Sequence, residues 1–258
     1  MQLANSTIVV TGASSGLGKA MAGAFVREGA DVVWSSRSRD RLEAAIEEET
    51  GADSAGTAAA ITADVRSWDA VQRLIEQTTE RYGQIDVFVN NAGVMQYIVN
   101  EDNERKLIPD IPVESWDTIL ETNLRGAFLC AKAVLPGMLD RDSGRVINVS
   151  SSHGSHGRAN RSPYVASKFG LEGLHESMAL ELEDTGVDSV ALRPPRGGVY
   201  TEVSVERGGR SMDSFTHDSP DVIAGAAVRL AAGEGDNGGR YQATGDGDGY
   251  TEYTQTGD

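Results

Sequence analysis

Along this chain, short β-branched runs alternate with stretches whose apolar residues recur every three or four positions. Thr7–Thr11 (TIVVT) predicts a buried strand. Met21, Phe25 and Val26 then share one face of KAMAGAFVREG, a helix that Gly29 is suited to end. Asp31–Ser36 (DVVWSS) predicts a second strand, Arg39–Glu49 a second helix and Gly51–Thr57 a loop. Ala58–Ala63 and Trp68–Tyr82 form the third strand–helix pair, with Val71, Leu74 and Ile75 inward, and Ile85–Val89 is a fourth strand. Gln96–Val113 has no period and carries EDNERK and two prolines, so a long surface loop is expected. Glu114–Leu139 is helical in pattern, with Pro136 near its end, and Gly144–Ser150 is a fifth strand. Pro163–Glu183 predicts a long helix with Pro163 in its first turn, followed by a sixth strand at Val187–Leu192.

Beyond that the pattern fades. Arg193–Arg210 mixes prolines, glycines and arginines, Asp221–Ala232 predicts a short helix, and Gly233–Gly239 is turn-rich. Residues 245–258 read as a poorly packed tail. The alternation implies an α/β fold with right-handed crossovers and a parallel sheet covered on both faces. With no internal repeat and no linker, residues 1–258 are expected to form a single domain.

Composition narrows this picture. At 258 residues the chain can bury one large α/β core. No apolar run approaches 18 residues, so no membrane span is expected, and MQLANSTIVVTG reads as a first strand, not a signal peptide. The single cysteine, Cys130, lies in GAFLCAKAVL and is expected to be an inert buried thiol. A cytoplasmic location follows as the default. The net charge of −16 argues against a nucleic-acid partner. Four lysines stand against nineteen arginines, and acid excess with scarce lysine resembles proteins of salt-loving organisms.

The candidate chemistry is concentrated between Ser150 and Gly170. Tyr164 and Lys168 are four apart in YVASK and share a helix face. Ser151 lies thirteen residues before Tyr164, at the end of RVINVSS, with Ser150 and Ser152 as alternatives on sequence alone. A phenol, an ammonium and a hydroxyl meeting at one point can move a proton on and off an oxygen. TGASSGLG (Thr11–Gly18) joins the first strand to the first helix, where glycines let the backbone approach a pyrophosphate and free amides receive its charge.

The Gly-x-x-x-Gly-x-Gly spacing, NNAG (Asn90–Gly93), Asn123 in TNLRG, Ser151 and YVASK occur in that order. Together they resemble the short-chain dehydrogenase/reductase family over about residues 5–202. The resemblance implies a Rossmann-like, doubly wound sheet and hydride transfer between a nicotinamide cofactor and a carbonyl/alcohol substrate. It implies Tyr164 as general acid/base. A free phenol has a pKa near ~10, and bringing it near ~7 takes about 4 kcal/mol, toward which Lys168 contributes its charge. Lys168 is also implied to bind the nicotinamide ribose, Ser151 to polarise the substrate oxygen, and Asn123, at a helix kink, to hold a water that completes a proton relay.

For the cofactor, the resemblance assigns Gly12, Ser14, Ser15, Gly16, Leu17 and Gly18 from the glycine loop. It adds Ser36 and Arg37 after strand two, Asp64 and Val65 after strand three, and Asn91, Ala92 and Gly93 after strand four. Tyr164, Lys168, Val199 and Thr201 complete the set. A carboxylate at Ser36 would select NAD. Arg37 beside it can pair with a 2′-phosphate, so NADP(H) is expected, with NAD(H) as a second cofactor because Ser15 replaces a further basic residue.

Two departures from the family stand out. RPPRGGVYT has Arg196 where glycine usually follows Pro195, and the C-terminus lacks the usual closing strand before Asp-Gly-Gly. A homo-oligomer, dimer or tetramer, is the family expectation. His153 and His156 are placed to line a substrate pocket, His175 and His217 read as structural or exposed, and no metal site is expected. The rival readings are a non-catalytic nucleotide-binding sensor on the same fold and a sugar epimerase or dehydratase of the extended branch. The intact Ser, Tyr, Lys and Asn set weighs against the first and the glycine spacing against the second. Substrate choice is expected to lie in Gln96–Val113, the residues after Ser151, and the segment from Thr201 to Pro220.

Overall fold

Thr7–Thr11 (β1) is buried at every residue, inside an eight-stranded sheet in this computed structural model. The structure describes residues 3–51, 54–99, 106–197, 199–201, 215–217, 219–247 and 249–254. The other strands are Asp31–Ser36 (β2), Thr57–Thr62 (β3), Val87–Asn90 (β4), Gly144–Val149 (β5), Val187–Arg193 (β6), Arg240–Ala243 (β7) and Tyr250–Glu252 (β8). Their order is β3-β2-β1-β4-β5-β6-β7-β8, and every neighbouring pair is parallel except β7 with β8. The chain leaves β1 toward β2 and β3, then crosses back to β4. That reversal opens a crevice beyond the C-terminal ends of β1 and β4, where open α/β sheets bind ligands.

Alternate strand residues feed two cores. Ile8, Val10, Val32 and Trp34 pack against Gly16–Arg27 (α1), Arg39–Glu49 (α2) and Ala224–Ala231 (α8). Val9, Val33, Phe88 and Val146 face Trp68–Tyr82 (α3), Gly126–Asp140 (α6) and Ser162–Glu181 (α7). The sheet is therefore covered on both faces, which is the doubly wound arrangement expected. Cys130 is buried in the second core, and burial pushes its thiol up to about 12, as suits an inert side chain.

Three expectations need correction. First, the predicted helix over 114–139 is Val113–Leu120 (α5) and α6 joined by a π-turn at Glu121–Arg125, centred on Asn123. Second, the long loop is interrupted by one turn of helix at Gln96–Val99 (α4) and a 3₁₀ turn at Ile108–Asp110; residues 100–105 lie outside the described set. Third, the C-terminus is packed. β7 extends the parallel sheet with Tyr241 and Ala243 buried, so the closing strand that RYQA was too short and polar to announce is present. β8 then turns back along it, and Arg193 lies 3.5 Å over the Tyr253 ring. Residues 255–258 of the expected tail lie outside the described set.

Candidate active site

The glycine loop has the shape a phosphate cradle needs. Gly12 (φ 67°) and Gly16 (φ 56°) occupy left-handed backbone that other residues adopt with strain. A Cβ on Gly18 would run into the Gly12 carbonyl oxygen and the Asn91 amide, so only glycine lets α1 start this close to the loop. Ser15 precedes α1 in extended backbone and its side chain makes no capping bond, and Ala13 N–H donates to Ser35 O at 3.1 Å. Ser14 and Leu17 are half-buried, Leu17 against the α1 core.

NNAG is tied directly to this loop. The Thr11 hydroxyl donates to Val89 O at 3.1 Å and accepts from the N–H groups of Asn91 and Ala92, both at 3.1 Å. Asn91 Nδ2 donates to Thr11 O at 2.8 Å. Thr11 is thus a fastening that the motif reading overlooked; its signal was a hydroxyl at the buried C-terminal end of the central strand.

At the ends of β2 and β3, Arg37 is exposed and Ser36 turns its hydroxyl to Ser38. Asp64 accepts from Arg66 Nη2 at 2.6 Å and from Arg66 Nε at 3.0 Å. That pairing holds its carboxyl below the usual range, with the charge of Arg37 adding to the effect. Asp64 is therefore engaged by Arg66, which the sequence reading did not consider, while Ser67 caps α3 by accepting from Ala70 N–H. Val65 is buried against Gly126.

The segment after β6 supplies the glycine conformation one residue later than the family pattern: Gly197 has φ 97° and Arg196 lies exposed in the turn. Val199 bridges to His217, and Tyr200 N–H donates to His217 O at 2.8 Å. A Cβ on Gly16 would meet Thr201 Cγ2 at 3.2 Å, so Val199–Thr201 returns over the glycine loop. Residues 202–214 of the expected substrate segment lie outside the described set.

The proton-handling residues converge beyond β5. The three serines have separate positions: Ser150 is buried and donates to the Glu172 carboxylate, Ser152 is exposed, and Ser151 is half-buried beside His153. Ser151 Oγ accepts from His153 N–H at 3.2 Å and lies 3.2 Å from His153 Nδ1. The imidazole meets the Tyr164 ring edge-on, centroids 5.6 Å apart. Lys168 Nζ is 5.8 Å from that ring's centroid and donates to Val149 O at 2.8 Å. Burial destabilises its ammonium and brings the lysine down to about 8, opposed by the charge of Glu172.

Asn123 is buried in the π-turn. Its Oδ1 accepts from Val94 N–H at 2.7 Å, and its Nδ2 donates to Val94 O at 2.9 Å and Ser167 Oγ at 3.0 Å. It clamps the strand-four loop, including Gly93, to α7. A small cavity beside it is lined by five polar residues, Thr11, Asn90, Thr122, Asn123 and Lys168, and by apolar ones that include Val65, Cys130 and Leu171. Behind the site, a buried chain of hydrogen bonds runs from Asn90 to Asn148 (3.0 Å), Ser189 (3.3 Å) and His175 (2.9 Å). Glu172, one turn past Lys168, accepts from Arg240 Nε at 3.0 Å and Tyr253 OH at 2.8 Å. None of this second ring was read from the sequence. His175 is structural, as expected, and buried.

A family profile described as "short chain dehydrogenase" matches residues 6–209. The chain belongs to the short chain dehydrogenase family. It is 32% identical to an NADPH-dependent pterin aldehyde reductase of Arabidopsis thaliana, over 92% of this chain and 93% of that protein. It is 36% identical to the 3-oxoacyl-[acyl-carrier-protein] reductase FabG of Staphylococcus epidermidis, over 74% of each. Among solved structures, a short-chain type dehydrogenase/reductase from Mycobacterium marinum superposes with a TM-score of 0.83 at 28% identity, covering 95% of this chain and 96% of the other. A metagenomic short-chain oxidoreductase in complex with NADP gives a TM-score of 0.73 at 30% identity, covering 89% and 91%. Family membership accounts for why five short motifs spread over the chain meet at one edge of the sheet.

Proposed function

We propose that the protein is an NADP(H)-dependent oxidoreductase of a carbonyl/alcohol pair, with Tyr164 as its general acid/base. The observation that carries this reading is the cluster of Ser151, Tyr164 and Lys168 around His153 and Val149, beside the crevice at the glycine loop. The relatives named for carbonyl reduction and the neighbour solved with NADP support the reading and its cofactor.

The chain's residues fit that cofactor. Gly12, Gly16 and Gly18 leave room where a Cβ would intrude, and the start of α1 offers its free amides to a pyrophosphate. Arg37, with no carboxylate at Ser36, would take the 2′-phosphate, and the same reading gives Asp64, Val65, Asn91, Ala92, Gly93, Val199 and Thr201 the rest of the cofactor; Asn91, Ala92 and Thr201 lie against the glycine loop. When bound, the nicotinamide supplies or accepts the hydride. Ser151 holds the substrate oxygen, and Tyr164 gives it a proton in reduction or removes one in oxidation. Lys168 keeps positive charge beside the phenol, and the cavity at Asn123 would hold a water that replaces the proton.

The same reading takes the acid-rich, lysine-poor composition as an adaptation to high salt and the cytoplasm as the site of action. No helix among the described residues is long and apolar enough to cross a membrane. It also takes Phe128 on α6 (46% exposed) and Phe169 on α7 (40% exposed) as part of a homo-oligomer contact. The deciding experiment is Tyr164→Phe. Turnover should fall by about 10²–10⁴-fold while NADPH still binds, as read by fluorescence titration. Near-native turnover of the variant would remove Tyr164 from the mechanism.

A further inference from the structure

The chain's acidic residues avoid one region. Asp and Glu number 39 in 258 residues, yet none occurs in residues 1–27, 87–100, 143–171 or 189–201. These are the segments that contain β1, β4, β5 and the C-terminal part of β6, and the loops leaving their C-terminal ends. The cofactor's own phosphates account for the first stretch. They do not account for the third, which leaves the sheet at β5, two strands from β1 and so about 9–10 Å away.

That third stretch carries Arg158 and Arg161 between Ser151 and Tyr164, with Arg161 one turn before the tyrosine. Both guanidiniums act on His153, the imidazole between Ser151 and Tyr164; after burial, they are the next causes that keep it neutral. The wall around it holds polar atoms prepared for something else. His153 Nε2, Asn160 Oδ1 and Ser162 Oγ are buried without a hydrogen-bond partner, three of seven such atoms among the described residues. Asn160 O in turn accepts from Gln96 Nε2 at 3.2 Å, which extends the wall to the segment after NNAG.

Buried polar atoms without partners are costly, and their concentration beside the reacting groups marks a surface completed by a polar ligand. Building on the reductase reading, we infer that the substrate is a carbonyl compound bearing an oxyanion, carboxylate or phosphate, recognised by Arg158 and Arg161. The guanidinium fork matches either acid. Uncharged His153 serves as a hydrogen-bonding neighbour of the carbonyl end.

The test uses NADPH and three aldehydes of similar shape: 4-formylbenzoate, 4-formylphenyl phosphate and 4-formylbenzamide. At least one anion should exceed the amide in kcat/KM by tenfold or more, and the better anion identifies the acid. The ratio should collapse toward one in Arg158→Gln and in Arg158→Gln/Arg161→Gln. An amide reduced as well as both anions overturns the inference and leaves the reductase reading intact. If nothing is turned over, binding to the NADPH-loaded protein separates the two readings. Arginine-dependent retention of an anion sustains the assignment of Arg158 and Arg161 to anion recognition and shows only that these aldehydes are not the substrate; no preference for the anions sinks the inference.

Discussion

The two halves of the sheet perform their parts of the site by different physics. From β3 to β4 the site is built of backbone and small polar side chains: Gly12, Gly16 and Gly18 shape the loop, and Thr11 and Asn91 fasten it to NNAG. From β5 to β8 it is built on buried ionisable groups, with Lys168, Glu172, His175 and Arg193 all at or below 5% exposure. The glycine loop of the first half needs a shape, which does not titrate, and Asp64 after β3 is held by Arg66 below the usual range and so stays ionised across neutral pH. The second half needs a charge state, so the pH dependence of both activity and stability should reside there.

Lys168→Met should produce the largest separation of the two. Turnover should fall by about a hundredfold or more, because the charge beside Tyr164 is lost. Stability should move the other way. Lysine is lowered from 10.5 to about 8 in the fold, so the unfolded chain holds its proton more tightly, which costs the native state about 3 kcal/mol at pH 7. The cost is full below pH 8 and fades as pH rises through 10.5. The variant should therefore unfold at a higher denaturant concentration than wild type at pH 7, and the gap should close toward pH 10.5. An equally destabilised variant at every pH would mean that the Val149 contact outweighs the buried charge.

His175 has the same direction of shift with an acidic window. Burial lowers it from 6.5 to about 4, so the native state binds its proton later than the unfolded chain. Its contribution is intact above pH 6.5 and is lost as pH falls toward 4, about 3 kcal/mol in all. His175→Gln retains an amide for Ser189 and removes the titration, so acid unfolding should become shallower over that window. Gly18→Ala tests the other half. One methyl against the Gly12 carbonyl and Asn91 should cost about 1–3 kcal/mol and weaken NADPH binding, with no change between pH 6 and 9. A pH-dependent loss there would break the division.

The same division governs what the chain disclosed before folding. The first half was legible because its constraints are local. A glycine in left-handed backbone and a β-branched strand before it are properties of neighbouring residues, and TGASSGLG shows both. YVASK was legible because four residues make one helical turn. Glu172 sits at the next turn of α7 and was missed. Its partners Ser150, Arg240 and Tyr253 are 22, 68 and 81 residues away, and nothing near it in sequence signals a buried carboxylate. β7 and β8 were missed because RYQA and YTE are short pieces whose strand character comes from pairing, β7 with β6 and β8 with β7. Arg196 looked like a break in the pattern only because Gly197 supplies the turn one position later.

Tyr253 offers the finest test, because it joins the tail that looked unstructured to the charged half of the site. Its hydroxyl donates to Glu172 at 2.8 Å while its ring lies beneath Arg193. Burial and the neighbouring carboxylate push the phenol above its ordinary range, so it remains a donor at working pH. Tyr253→Phe keeps the ring and removes only the donated bond, which should cost about 1–2 kcal/mol because the acceptor is a carboxylate. Glu172 retains Arg240 and Ser150, so turnover should change by only a few fold. Combined with Glu172→Leu, the two costs should be less than additive, since both remove the same bond. Full additivity in a denaturant double-mutant cycle would show that the tail covers the site without being coupled to it, and the charged half of the molecule would end at β7.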